Sequence, residues 1–321
     1  MILSRRRVSF ALLSLAAAPM LARADTYPSH PIRIVVPTGP GGITDIVARI
    51  VGQRLSERLG QSVIVDNKSG ASGIIGTEVV ARSAPDGYTL LMVYPSHPVN
   101  PALKQHLPYD TIKDFVGVTT LTTVSLVLMV PPSLAAKSVQ ELIALSKKER
   151  LTYASVGSGS LAHLGAELFR SMAHIELTHV PYRSAPAAQQ ALISGEVSMF
   201  FDTPITAVPM VRDGRLRALG VSTPKRSALL PDVPTIAEAG VPGYQNYVWF
   251  GLWAPKNTPK PVVDKLYAEI RKAAATPAVK ERIMKDAGVP MDTALTAIEP
   301  LEKSEIAKWA DVVKRAHIQV Q

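Results

Sequence analysis

The chain has 321 residues, 47 % hydrophobic and 19 % charged, which excludes a disordered chain and allows the core of one large or two ordinary domains. It contains no cysteine, so disulfides, cysteine-based zinc sites and thiol nucleophiles are excluded. The formal net charge is +9, yet no basic run lies beyond residue 24, which argues against a nucleic-acid partner.

The first 24 residues read as a cleavable export signal rather than as part of the core. A basic start (Arg5, Arg6, Arg7) precedes an apolar stretch from Val8 to Leu21 and an A-x-A site at Ala22-Arg23-Ala24. The apolar stretch is short for the ~20 residues of a spanning helix. Ser4-Arg5-Arg6-Arg7-Val8 also resembles a twin-arginine signal. Loss of residues 1–24 removes four arginines and leaves 31 basic and 26 acidic residues, a net of +5 that weakly favours anionic ligands.

The next hundred residues alternate strands with helices. "IRIVVP" is a β-branched strand, and Ile43, Ile46, Val47, Ile50, Val51 and Leu55 follow at helical spacing. "SVIVDN" is a strand, "GIIGTEVVARSA" a helix and "YTLLMVY" a third strand. Uninterrupted apolar strands in this order predict a parallel sheet covered on both faces. The pattern recurs in "LTYAS", "LAHLGAELFRSM", "LTHVPY", "SAPAAQQALIS" and "VSMFFD", and "VRDGRLRALGVS" ends a helix and starts a strand. A proline-rich stretch leads to the strand "NYVWFGLWAP", and a mostly helical tail begins at Lys260. Two βαβ lobes with a returning tail follow, with "VSLVLMV" and "NYVWFGLW" as the connections between them.

Both lobes carry a glycine-rich turn at a helix start. Thr38 to Thr44 has no Lys or Arg, and Ser155-Val156-Gly157-Ser158-Gly159-Ser160 opens the helix at Leu161. Free N–H groups at a helix start carry about half a positive charge, and glycine lets a ligand approach the backbone. Two such turns facing one another would hold a small oxyanion without a cationic side chain. "NKSGASGIIG" (Asn67 to Gly76) is a third turn of this type. A nucleotide fits poorly. No Gly-Lys pair exists for a P-loop, and Thr44 stands where a dinucleotide fingerprint needs glycine. No G-x-S-x-G or H-E-x-x-H occurs, and the seven histidines show no metal-ligand spacing, so neither a metal nor another cofactor is expected. His163 is read as a capping or packing residue with a ligand contact as the alternative, and Asp45 as structural or loop-ordering. Asp202 stands evenly between a turn residue and a site residue. Trp249 and Trp253 are read as core or hinge packing.

Five stretches in series, "PTGPGGITDIVAR", "SAPDGYTLLM", "LPYDTIKDF", "HVPYRSAPAA" and "LPDVPTIAEAGVPGY", resemble the Bug-type receptors, the extracytoplasmic substrate-binding proteins of tripartite tricarboxylate transporters. The resemblance runs from about Tyr27 almost to the C-terminus. It implies an α/β fold of the two-lobed, type II-like Venus-flytrap kind, with parallel or mixed sheets flanked by helices and two crossing strands. Residues 25–123 and 249–321 would form lobe 1, and 124–248 lobe 2. It also implies a non-enzymatic periplasmic receptor, monomeric, for a mono-, di- or tricarboxylate, an acidic amino acid or an aromatic acid, working with membrane transporter subunits. By motif, ligand contacts carry over to Thr38, Gly39, Gly42 and Thr44, and to Ser155, Gly159, Ser160 and the "VPYRSAP" turn with Tyr182 and Ser184. That turn departs from the commoner V-P-Y-K-G pattern at Arg183 and Ser184. Ser96 and His97 fall where family members vary with ligand, and are the expected specificity determinants. A periplasmic sensor module and an exported α/β enzyme remain as alternatives, separable by growth on the ligand after deletion and by turnover.

Overall fold

Strand β1 (Ile32–Val36) shows why these apolar runs carry no polar alternation. Ile32, Ile34 and Val36 point to one side of the sheet, against Val47, Val51 and Leu55 of α1 (Ile43–Leu59). Val35 points to the other side and joins a second cluster. A strand buried on both faces is apolar along most of its length, and the charged residue of β1, Arg33, stays partly exposed beside Asp66. In this computed structural model the described residues are 27–104, 106–157, 159–285 and 288–315, so the expected export signal lies outside them.

From α1 the chain continues through β2 (Val63–Asn67), a 3₁₀ turn (Ala71–Gly73), α2 (Ile74–Ala81), β3 (Thr89–Val93) and α3 (Ser96–Leu103). β1 pairs in parallel with β2 and β3, as the alternation of elements predicted. β4 (Phe115–Ser125) then leads into β5 (Val127–Val130), with Leu126 alone between them. The expected connection "VSLVLMV" is therefore divided between two sheets. Val124 and Ser125 end the first sheet, and Val127 begins the second.

The second sheet gathers β5, α4 (Val139–Ser146), β6 (Leu151–Ser155), α5 (Leu161–Ala173), β7 (Leu177–Pro181), α6 (Ala185–Ser194), β8 (Met199–Asp202), α7 (Pro204–Arg212) and β9 (Arg217–Val221). Its strand order is β7-β6-β8-β5-β9, with β6 parallel to both neighbours and β5 antiparallel to β8 and β9. The chain returns as β10 (Tyr247–Pro255), followed by α8 (Lys260–Ala274), α9 (Pro277–Lys285), β11 (Gly288–Pro290) and α10 (Leu295–Arg315). β10 inserts antiparallel between β3 and β4, giving the order β11-β4-β10-β3-β1-β2. The molecule is thus a two-lobed α/β protein of two mixed sheets flanked by helices.

Ser222 ties the passages between lobes together. Its N–H donates to Leu126 O at 2.9 Å, its Oγ accepts Leu126 N–H at 2.7 Å, and that hydroxyl donates to Asn246 O. Asn246 N–H returns to Ser222 O at 2.9 Å. A third tie is α10. Its first half places Ile298 beside the stacked, buried Trp249 and Trp253, while Trp309, Val312 and Val313 enter the core of the second sheet. The tail belongs to both cores.

Candidate ligand-binding site

Strand direction decides which turns meet. β10 runs away from the Leu126–Ser222–Asn246 junction, and β3, antiparallel to it, runs toward it. In the second sheet Asp202, the last residue of β8, stands opposite Val127, the first strand residue after the crossing. The carboxyl ends of the parallel strands therefore point to the junction from both sides, where α/β sheets bind ligands. Contact between the two edges is direct, because a Cβ on Gly159 would come within 3.0 Å of Leu103 Cδ1 on α3.

The turn after β1 is braced by a buried carboxylate. Asp45 Oδ2 accepts Gly41 N–H at 2.9 Å and Arg49 Nε at 3.0 Å, while Oδ1 accepts Asn67 Nδ2 at 3.0 Å. Asn67 also donates to Thr38 O and accepts from Arg49. Burial by itself raises the Asp45 carboxyl, but Arg49, Gly41 N–H and Asn67 together pull it below the usual carboxylate value. Arg49 is thus spent on the brace. Gly41, at φ +85°, holds a bend that needs glycine, and Gly39, Gly41 and Gly42 all face open space. Helix α1 has no side-chain N-cap, and the N–H groups of Gly42, Ile43 and Thr44 make no hydrogen bond among the described residues. Thr38 Oγ1 is buried without a partner. This turn presents unengaged donors, as its sequence suggested, with no cation aimed at them.

The turn after β6 is organised differently. Ser155 is fully buried, and its Oγ accepts Gly157 N–H at 3.0 Å and lies 2.6 Å from His179 Nε2. Gly159 N–H is taken by His163 Nδ1 at 3.1 Å. Ser160 is the N-cap of α5, its Oγ accepting His163 N–H at 3.3 Å. The expected donor at Gly159 and hydroxyls at Ser155 and Ser160 are thus engaged inside lobe 2, while Leu161 and Ala162 at the start of α5 have N–H groups that make no hydrogen bond among the described residues. The Ser155–His179 distance is that of a nucleophile and its base. Full burial of Ser155 and its bond to Gly157 make the pair a turn brace instead.

The remaining expected residues separate. Ser96 opens α3 and hydrogen-bonds Tyr94, whose ring closes over Gly73 of the third turn. His97 does not accompany it: its side chain is buried, stacked on Tyr109 and edge-on to Phe115, with Nε2 3.1 Å from Glu302 of α10. Helical spacing turns His97, expected together with Ser96 as a specificity determinant, into the core. Tyr182 donates its hydroxyl to Glu196 at 2.8 Å, and burial followed by that carboxylate pushes the phenol up to about 12. Ser184 caps α6 with extended backbone (φ −160°), so glycine is not required there. Asp202 is buried and accepts from Gln189, Thr203 N–H and Thr206 at 2.6, 2.7 and 2.9 Å; burial raises its carboxyl despite these bonds. It is the turn residue of the two readings. Among the described residues no three His, Asp or Glu side chains converge as a metal-binding group, and no helix is long and apolar enough to cross a membrane.

Sequence reasoning missed the residues behind the turns: Arg49 and Asn67 in lobe 1, and Tyr153, Glu167, Arg170 and His179 in lobe 2. The four-residue spacing of Gly159 and His163 at a helix start was an available signal. His179 had none, because it meets Tyr153 only through the parallel register of β6 and β7.

Comparison with known proteins agrees with the two-lobed α/β fold. A family model described as tripartite tricarboxylate transporter family receptor matches residues 47–318. Protein BugT of Bordetella pertussis is 37 % identical over 302 residues, covering 93 % of this chain and 92 % of that one. A Rhodopseudomonas palustris protein solved with adipate is 34 % identical with a TM-score of 0.73, covering 91 % of this chain and 99 % of that one. MatC of the same organism, solved with bound malate, is 33 % identical with a TM-score of 0.70, covering 89 % and 100 %. The chain belongs to the tripartite tricarboxylate transporter receptor family, whose members are periplasmic solute-binding receptors.

Proposed function

We propose that this receptor captures a small organic carboxylate, a C4–C6 dicarboxylate first of all, between its two lobes and delivers it to a tripartite tricarboxylate-type membrane transporter. The observation that carries the reading is the row of unengaged N–H groups at Gly42, Ile43 and Thr44, flanked by glycines that open on solvent, at the end of the sheet where the chain crosses to the second lobe. A carboxylate is the ligand that such a row stabilises without a cationic partner. Adipate and malate in the two similar structures support the class. Each charge-assisted hydrogen bond contributes ~1.5–3 kcal/mol, so a few of them across both lobes outweigh a modest closing cost. The ligand first binds the lobe 1 turn and then bridges to lobe 2, favouring the closed arrangement.

In this reading residues 25–123 and 249–321 form lobe 1 and 124–248 form lobe 2, with α10 fastened to both. Thr38, Gly39, Gly42, Thr44 and Ser96 line the lobe 1 side. Ser155, Gly159 and Ser160 shape the lobe 2 side, with Tyr182, Ser184 and Asp202 holding its outer turns. Residues 1–24 are removed on export, and the mature chain acts as a monomer. The test is thermal unfolding of residues 25–321 against C4–C6 dicarboxylates, citrate, acidic amino acids and aromatic acids. A ligand at 100 times its Kd stabilises by ~2.7 kcal/mol. A selective shift without turnover of the ligand by mass spectrometry supports the receptor. No shift from any carboxylate, or conversion of the ligand, sinks it.

A further inference from the structure

Two imidazoles lie behind the lobe 2 turn, and each reaches a glycine N–H of that turn. His163, on the first turn of α5, is 6 % exposed and accepts Gly159 N–H at Nδ1. His179, on β7, contacts Ser155 Oγ, which in turn accepts Gly157 N–H. The rings are 4.3 Å apart, and Tyr153 stacks on His179 at 4.9 Å. Gly157 and Gly159 have φ of +111° and +77°, a turn that glycine permits among several and that the two imidazoles tie at both N–H groups. An acceptor at Nδ1 requires that nitrogen to be unprotonated, so the neutral ring carries its proton on Nε2.

One anion acts on the pair, Glu167, which favours the charged rings, but burial outweighs it at both. On α5, Glu167 accepts the Tyr153 hydroxyl at 2.5 Å and is paired with Arg170 at 2.9 Å, which also reaches Glu176. From α3, Leu103 is the side chain that meets Gly159. On α10, packed against α5, Glu305 is closed by Lys308 and Trp309.

We propose that His163, seconded by His179, is a positioning residue that holds Gly157 and Gly159 in their ligand-accepting positions while its ring is neutral, so that strong acidification frees Gly159 and releases the ligand. This rests on the turn being half of the carboxylate site. Burial, followed by the neighbouring His179, pushes His163 down to about 4, and burial lowers His179 as well. The turn therefore stays braced through neutral and mildly acidic conditions and lets go as pH falls through about 4.

The experiment follows the Gly159 amide by NMR in mature, ligand-free, ¹⁵N-glycine-labelled protein across pH, and titrates the same proteins with adipate and malate by calorimetry. In the wild type the Gly159 resonance shifts with a midpoint near pH 4, and affinity falls in the same range. His163→Asn keeps an acceptor near the Nδ1 position without a titrating group. Its affinity at pH 7 stays within about threefold, the Gly159 midpoint vanishes, and affinity keeps only the acid-side fall that protonation of the dicarboxylates themselves produces. His163→Ala loses at least tenfold in affinity. An Asn variant that keeps the wild-type pH profile, or an Ala variant with unchanged affinity and Gly159 resonance, overturns the proposal. A Gly159 amide that follows His163 in a protein binding neither probe upholds the brace and counts against the carboxylate reading alone.

Discussion

The turn after β1 and the turn after β6 share a backbone design, glycines at positive φ running into a helix start, but they are braced by opposite chemistry. In lobe 1 a carboxylate, Asp45, accepts from the turn and is itself held by Arg49 and Asn67. In lobe 2 two imidazoles and a serine hydroxyl do this work. The lobe 1 brace takes the N–H of Gly41 and leaves those of Gly42, Ile43 and Thr44 unengaged among the described residues, whereas the lobe 2 brace consumes the donors of both Gly157 and Gly159. A glycine-rich turn therefore does not by itself say which of its N–H groups a ligand can use. The side chain behind it decides.

The sharpest way to break this comparison is to remove the lobe 1 brace. Asp45→Ala leaves Arg49 without its carboxylate and frees Gly41, at a cost of about 3 kcal/mol in urea unfolding. A loss under about 1 kcal/mol would mean that Asn67 bridges Arg49 and Thr38 unaided.

Next in size is the response to acid, in which the braces differ. The folded value of His163 lies below its ordinary 6.5, so the unfolded chain binds more protons between about 6.5 and 4. Stability then falls by about 2 kcal/mol as pH drops through that window, and His163→Asn flattens the curve. The Asp45 contribution has the opposite origin. Its lowered carboxyl stabilises above the ordinary 3.8 and is lost only at lower pH. Equal curves for wild type and His163→Asn would erase the distinction.

A smaller test separates binding from folding. Gly42→Ser places a better N-cap on α1 at a compatible φ of −79°, so stability holds or rises by a few tenths of a kcal/mol. The same side chain stands in the ligand's approach, and affinity for adipate or malate falls about tenfold, about 1.4 kcal/mol. Unchanged affinity by calorimetry would move the ligand away from this turn. Smallest of all is Ser184→Gly, which removes a cap bond of 3.5 Å and costs only a few tenths of a kcal/mol in thermal unfolding. A loss of ligand binding in that variant would show that Ser184 touches the ligand rather than caps α6.

Much of the fold is legible because its signals are local. "IRIVVP", "LTYAS" and "VSMFFD" become β1, β6 and β8. Their continuous apolar character needs nothing but burial on both faces. The helical spacing from Ile43 to Leu55 places α1 in the same way. "YPSHPVNP" forms α3 despite Pro98 and Pro101, and there Asn100 donates to Ser72 O and Val99 packs into the second lobe's core. Tertiary packing outweighed the proline signal there. At the site, the glycines and the helix starts could be read from the chain, but Asn67, Tyr153 and His179 could not. Each acts on a residue more than twenty positions away or on one brought close by strand register.

The sequence by itself determined the alternation of strands and helices, the absence of cysteine, the cation-free lobe 1 turn and the placing of glycines before helix starts, since these depend on composition and on neighbours within a turn or two. Only the tertiary structure decided that "VSLVLMV" divides at Leu126, that α10 serves both cores, and that His97 points inward while His163 and His179 converge. Register and burial are properties of pairs of distant residues, and no single stretch of chain contains them.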